Sequence, residues 1–303
     1  MWNPFRSAMT VAGHELIDSI KSRRAIILLV LYFAGSIAGT LIFIKVLHGV
    51  EDQVVKAMGL DPAKNAGGVT ATLWESSAFR EIIVHLTGNR EVAEELLRIP
   101  PLALFYGWLS FSFAPLLVIL TAAPRIAEEV WSGSVRFVLF RTSRGAWCLG
   151  KFVGQACQLF LALLLSAVGA WIVGFLRTDH FAAIPSAFYM LSFALKAWVF
   201  ALAFLGLATG ISQFFSSPNT ASAISFIALI VLSILAGLSS HFANPNTIGG
   251  RIWDLVNLLM PSGHKPDLWR TDPAHVLPAV IFLTALSFAY LLIGQSYFAR
   301  RDL

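Results

Sequence analysis

Charge is what this chain has least of. Only 13% of its 303 residues are Asp, Glu, Lys or Arg, against about 25% in a soluble domain. With 57% hydrophobic residues and a mean hydropathy of +0.72, it reads as an integral membrane protein. Cysteine is nearly absent too. Cys148 and Cys157, close together near one membrane face, read as reduced structural thiols and not as a disulfide framework. The histidines His85, His180, His241, His264 and His275 show no paired spacing, so no metal site is expected. Short alternating segments of about ten residues, the mark of a membrane barrel, are missing. The apolar runs instead exceed the roughly 18 residues that a spanning helix needs. No small-residue cleavage site follows the first apolar run, which is read as a retained span.

Six spans can be placed, at about Ala25–Leu47, Leu102–Ala123, Phe152–Leu176, Ala187–Ile211, Ala221–Ser240 and Val276–Tyr297. None contains Asp or Glu. An even number puts both termini on one side. Segments 1–24 and 124–151 and the C-terminal tail together hold eleven basic and five acidic residues. The opposite loops hold nine basic and twelve acidic residues. Basic residues gather on the cytoplasmic side of spans, so both termini and 124–151 are expected there. The pI near 9.4 therefore reflects topology, and nucleic-acid binding is not expected.

Residues 1–24 and 25–303 are expected to be an interfacial helix and a six-span membrane domain. Phe5, Met9, Ala12, Leu16 and Ile20 recur at spacings of three and four, one apolar stripe on a helix lying in the interface. Outside, residues 48–100 read as helices over Val50–Met58, Ser77–Leu86 and Arg90–Arg98, the last capped by Asn89. That piece is too small for a core of its own and could be a lid, a partner site or a spacer. In 241–275, Arg251–Met260 carries Ile252, Leu255, Val256 and Leu259 on one face, which suggests a re-entrant or interfacial helix.

Segment 124–151 is the most informative stretch. Glu128 and Glu129 follow one span, then Gly133, a short apolar run, Arg141, Arg144 and Gly150-Lys151 at the next span. Gly145–Lys151 matches GxxxxGK, but Phe152 stands where a phosphate loop needs Ser or Thr and no strand precedes it. ATP binding on this chain is not expected, and the chain reads as no enzyme of its own. Lys196 is a cation within a span, costly there; it either lines a pathway or snorkels outward. The pairs Gly35/Gly39 and Gly206/Gly210 match close-packing helix faces, between subunits or within one. Trp108, Phe111, Phe113, Trp198, Phe200 and Phe204 suit an apolar pathway or plain packing.

The same segment resembles the cytoplasmic insert of ABC-2-type transporter permeases, whose pattern has Glu, three residues, Gly-Thr, a short helix, a Ser-Arg pair and Gly-Lys. Here these are Glu129, Gly133-Ser134, Val135–Phe140, Ser143-Arg144 and Gly150-Lys151. Ser134 replaces Thr, and Arg141 a residue that is usually apolar or small. His14-Glu15-Leu16 with Lys21-Ser22-Arg23-Arg24, and the ending Phe298–Leu303, are similar to the family's opening and closing motifs. The resemblance implies an all-α permease with an elbow helix and a type V exporter-like architecture, in a bacterial plasma membrane. It implies two such subunits, or one and a paralogue, above two cytoplasmic ABC ATPase subunits that bind ATP and Mg²⁺. The insert would be the coupling helix. Val135, Val138 and Leu139 would supply its buried face, Arg136 and Arg141 would meet acidic groove residues, Gly133 and Arg144 would belong to the same ATPase-docking segment, and Glu128 or Glu129 would anchor the insert; Gly133 could also be merely a helix cap. Export is favoured by the resemblance; the cargo is not legible, and residues 48–100 could pass mechanical work to an external partner. Two other classes are weaker. An ion-driven secondary transporter needs intramembrane acids or broken helices, and a membrane-embedded enzyme or sensor needs convergent polar groups at one depth.

Overall fold

The computed structural model describes residues 4–57, 81, 84, 90–178, 181–242 and 247–301, and these are helical with no strand among them. In chain order the helices are α1 (Pro4–Lys21), α2 (Arg23–Ala57), α3 (Arg90–Leu96), α4 (Pro101–Trp131), α5 (Ser134–Leu139), α6 (Arg144–Arg177), α7 (Ala183–Phe214), α8 (Pro218–Phe242), α9 (Ile248–Leu259), α10 (Lys265–Trp269) and α11 (Pro273–Ala299). Six of them, α2, α4, α6, α7, α8 and α11, are long and apolar enough to cross a membrane. All six expected spans are present, each extended by several residues. α2 runs unbroken through Val50 to Ala57, so the helix expected from Val50 begins as a continuation of the first long helix. The expected helix Ser77–Leu86 and the cap Asn89 lie largely outside the described residues.

α4 and α7 form the centre. Most of α4 and α7 is buried, whereas α2 and α8 are mostly exposed. In hydrocarbon, apolar side chains gain nothing by leaving the lipid, so helices associate through close packing and hydrogen bonds. The α7–α11 crossing illustrates this. Ser287 Oγ donates to the Leu202 carbonyl at 2.6 Å. A Cβ built at Gly210 would stand 2.5 Å from the Tyr290 carbonyl oxygen, and one at Gly206 would collide with the Ser287 backbone. Gly206 and Gly210 are therefore internal packing residues. Gly35 and Gly39 do not act as a pair: Gly39 faces Leu109 and Phe105, while Gly35 faces open space.

At the end opposite the two termini, the chain folds back into the bundle. Ala93, Leu96 and Ile99, in and just after α3, are buried, and Glu95 accepts from Thr271 N at 3.0 Å and Thr271 Oγ1 at 3.1 Å. Within 241–275 the helix and the turn after it differ. α9 leaves Ile252, Leu255, Leu258 and Leu259 exposed. The turn Pro261–His264 and α10 go inward instead, with Trp269 against Phe111 (5.3 Å) and Phe193 (5.2 Å). Trp269 is an apolar ring too large to leave in the interface once a cavity between α4 and α7 can take it. Phe111, Phe200 and Phe204 are packed in this core, while Trp108 and Phe113 are exposed.

Candidate functional site

The segment between α4 and α6 is shorter than its sequence suggests. Pro124–Trp131 completes α4, and Arg144–Lys151 is the first two turns of α6. The link proper is residues 132–143, holding α5. Gly133, at φ +72°, is the one positive-φ residue described. A non-glycine residue there costs about 1–2 kcal/mol. It ends α4, with Gly133 N donating to the Val130 carbonyl at 3.2 Å, and lets α5 start at once. Ser143 caps α6 by accepting from Ala146 N at 3.3 Å. Gly145–Lys151 is continuous helix, so it forms no phosphate loop.

Beneath the link lies a buried charged cluster. Lys151 on α6 bonds both Glu15 on α1 and Glu129 on α4. Gln155 Nε2 donates to Glu15 Oε1 at 2.5 Å and to Ser19 Oγ at 3.4 Å. Arg125 Nε stands 3.8 Å from Glu15 Oε1, and its Nη2 donates to Ser19 at 3.4 Å. Glu15 is 1% exposed. Two carboxylates and two cations balance, so no net charge is carried into the low-dielectric region. Three helices are tied at one point: the amino-terminal helix and the two that enter and leave the link.

Glycine makes that closeness possible. A Cβ at Gly150 would stand 2.6 Å from the Ala8 carbonyl oxygen, and one at Gly154 would stand 2.7 Å from Glu15 Cβ. The α1 face that meets them is Ala8, Ala12, Glu15 and Ser19, all buried. Of the expected apolar stripe, Phe5, Met9 and Ile20 point away and are exposed; only Ala12 is buried in protein. α1 thus has a small, polar face for α6 and an apolar face left over.

The link's inner side is apolar. Val135, 1% exposed, packs with Ile126, Trp147, Cys148 and Phe298, and Val138 and Leu139 lie half-buried on the same cluster. Val135, expected on the docking face, is covered by its own chain. Arg144 is likewise turned inward. Its Nη1 donates to the carbonyls of Phe298 (2.8 Å), Ala299 (3.0 Å) and Arg301 (2.8 Å), a cation on the negative end of α11. Cys148 is buried and Cys157 exposed, both free. Nine helical residues, about 13 Å, separate them, beyond the reach of a disulfide.

What faces outward is aromatic. Trp131, Phe137 and Phe140 are 72%, 77% and 87% exposed, with Glu128, Arg136 and Arg141 exposed beside them. Residue type alone does not single out these three rings, because it does not tell which side of the link the bundle covers. The i, i+3 pair Phe137 and Phe140 was the available signal. Lys196 lies at the other end of the molecule, donating to the Arg270 carbonyl at 2.7 Å, and so pins the inserted α10 segment.

The family model described as ABC-2 family transporter protein matches residues 9–303. No curated protein matches the chain. The match covers the amino-terminal helix from residue 9 on, the six long apolar helices, the link and the carboxyl-terminal end, and the chain belongs to the ABC-2 family of transporters as an all-α, multi-pass membrane permease.

Proposed function

We infer that this chain is the membrane half of an ATP-driven exporter whose ATPase is a separate cytoplasmic chain that holds the ATP and Mg²⁺. The carrying observation is the link. Three exposed aromatic rings and two exposed arginines stand on and beside a six-residue helix whose inner side is fastened to three other elements. An exposed apolar patch with a charged rim is the composition of a protein contact. Fastening matters as much as exposure, because a loose link would absorb motion and a fixed one passes it on. ATPase movement against Phe137 and Phe140 would reach α4 through Glu129, α6 through Lys151 and α1 through Glu15. Arg136 and Arg141 would steer and orient the acidic side of the partner's groove.

In this reading both termini and the link face the cytoplasm of a bacterial plasma membrane, in line with the basic excess on that side. Two copies of the permease, or this chain and a paralogue, sit above two ATPase subunits, and the thinly buried α2 and α8 are the faces left for lipid and for the second copy. The charged cluster lies at the link end and not at the bundle's centre, which favours coupling over an ion-driven carrier. Co-expression with an ABC ATPase from the same genome, followed by affinity purification in lipid, tests the assignment. Wild type is expected to retain the ATPase, and Phe137→Asp with Phe140→Asp to lose it while remaining folded. Equal retention by both would sink the link as the docking surface.

A further inference from the structure

α1 has a side that the described bundle leaves uncovered. Ala8, Ala12, Glu15 and Ser19 turn to α6, whereas Phe5, Met9, Ile17 and Ile20 are exposed. With 3.6 residues per turn, these four apolar side chains share one side of the helix, next to the buried one. Arg6 and Lys21 are exposed on the side away from α6, and Arg23 and Arg24 are exposed in the first turn of α2.

The path of the chain sets what lies against that side. The contacts of α1 with α6 run from Ala8 against Gly150 to Ser19 against Gln155. That is about 16 Å along α1 but only about 8 Å along α6, so α1 crosses α6 steeply. Beyond Ser19 the chain keeps pace with α6: Phe33 meets Gly169, fourteen residues on from Ser19 and from Gln155 alike. α2 therefore runs beside α6, and α1 lies across the end of that pair. Ser22 alone separates α1 from α2. Its N–H donates to the Asp18 carbonyl at 2.8 Å and its carbonyl accepts from Ile26 N at 3.0 Å, so the join has no slack. An apolar helix side held across the end of a span has the boundary of headgroups and acyl chains beside it.

The cations of this region divide by surroundings. Lys151 bonds Glu15 and Glu129, and Arg125 stands beside Glu15. Arg144 lies on three carbonyls of the chain's end. Arg6, Lys21, Arg23 and Arg24 have no ion pair among the described residues, and Asp18 is the one exposed carboxylate on α1. Basic residues flanking a span or an interfacial helix draw anionic headgroups, each cation strengthening the hold about fivefold.

We propose that α1 and its join to α2 bind anionic phospholipid of the bilayer, with acyl chains covering Phe5, Met9, Ile17 and Ile20 and phosphate groups lying against Arg6, Lys21, Arg23 and Arg24. The binding needs neither ATP nor a partner chain. Glu15 is on the neighbouring face of the same helix, so on the coupling reading above lipid charge also sets how firmly α1 holds Lys151.

The full chain, without ATPase, is placed in nanodiscs of phosphatidylcholine and in discs where about 30% of the lipid is phosphatidylglycerol. Hydrogen exchange over residues 5–21 is read relative to residues 134–140 of the same sample, which cancels the effect of surface charge on local pH. Exchange should be at least fivefold slower with phosphatidylglycerol. The difference should vanish in about 1 M sodium chloride, where the Debye length is about 3 Å. It should also vanish in the triple variant Lys21→Gln, Arg23→Gln and Arg24→Gln; the salt series uses the wild-type chain and so holds even if that variant inserts wrongly. Equal exchange in the two lipids overturns the proposal, and so does a difference that survives salt. Protection that ignores lipid charge but appears only in discs loaded with two copies assigns the side to a second copy and overturns it as well. The ATPase is absent throughout, so failure here is separable from failure of the coupling assignment.

Discussion

Lys151 and Glu129 close an ion pair between the first turns of α6 and the last turn of α4, the two helices that flank the link. The same ammonium is bonded to Glu15 on α1. One cation therefore joins the amino-terminal helix to both sides of the exposed link.

Removing that cation is expected to be severe. Lys151→Met leaves Glu15 buried with Arg125 as its remaining cation, and breaking a buried pair costs about 3–5 kcal/mol. Glu129→Gln should cost less, because Glu129 is a quarter exposed. Lys151→Met with Glu15→Gln should regain much of the loss, since a neutral pair is often tolerated. Thermal aggregation followed by size exclusion ranks the three variants; a double variant no better than the single would show that charge balance is not what holds α1.

Two glycines should behave oppositely. Gly206→Ala drives a methyl group into the Ser287 backbone and should destabilise by about 1–3 kcal/mol. Gly35→Ala meets open space and should be neutral or stabilising by up to about 1 kcal/mol, the helix preference of alanine over glycine. Melting temperatures in the same lipid compare them.

The inner and outer sides of the link should separate by readout. Phe137→Asp is exposed and should leave melting unchanged while weakening ATPase retention about thirtyfold, a loss of about 2 kcal/mol at a hot spot. Val135→Asp buries a carboxylate among Trp147, Phe298 and Ile126 and should impair folding first. If the two variants lower melting equally, the inside–outside division of α5 is wrong.

Lys196 is expected to act on the inserted segment. Lys196→Met leaves the Arg270 carbonyl without its donor, a loss of about 1 kcal/mol. Hydrogen exchange over residues 265–271 should speed up about fivefold. Unchanged exchange there, with altered transport, would return Lys196 to a pathway role.

Acid should loosen the start of α11. Asp272 caps it, accepting from Ala274 N at 3.1 Å, with His275 Nδ1 at 3.0 Å from its other oxygen. First the backbone N–H of Ala274, then the His275 side chain, hold the carboxyl below its ordinary range. Its contribution is therefore whole above about pH 4, the unfolded value, and is lost as pH falls through the lower folded value. Exchange at the first turn of α11 should rise in that acid range in wild type and show no such step in Asp272→Ala.

How much of this was legible residue by residue follows from what each feature depends on. The six spans were readable because apolar length is local. Gly133 was readable as a turn or cap, which depends on a few neighbouring residues. The link was overestimated at 124–151 because charge was taken as the end of a span, whereas Arg125, Glu129 and Lys151 stay helical by pairing with one another and with Glu15. Nothing local in Glu15 announces Lys151, 136 positions away. The better clue was negative: a carboxylate on the face of a helix bound for the membrane needs a partner.

Composition and periodicity by themselves determined that this is a six-span helical membrane protein and where its helices run, because transfer to lipid and backbone hydrogen bonding act on contiguous residues. Which face of each helix is covered was decided only by the tertiary structure. In lipid an apolar side chain is equally at home inside or outside, so the choice passes to glycines that permit contact and to polar groups that need each other. That is why Val135 is hidden and Phe137 shown, why α1 turns Ala8 and Glu15 inward rather than Phe5 and Met9, and why the inserted turn is Pro261–Trp269 rather than the helix before it.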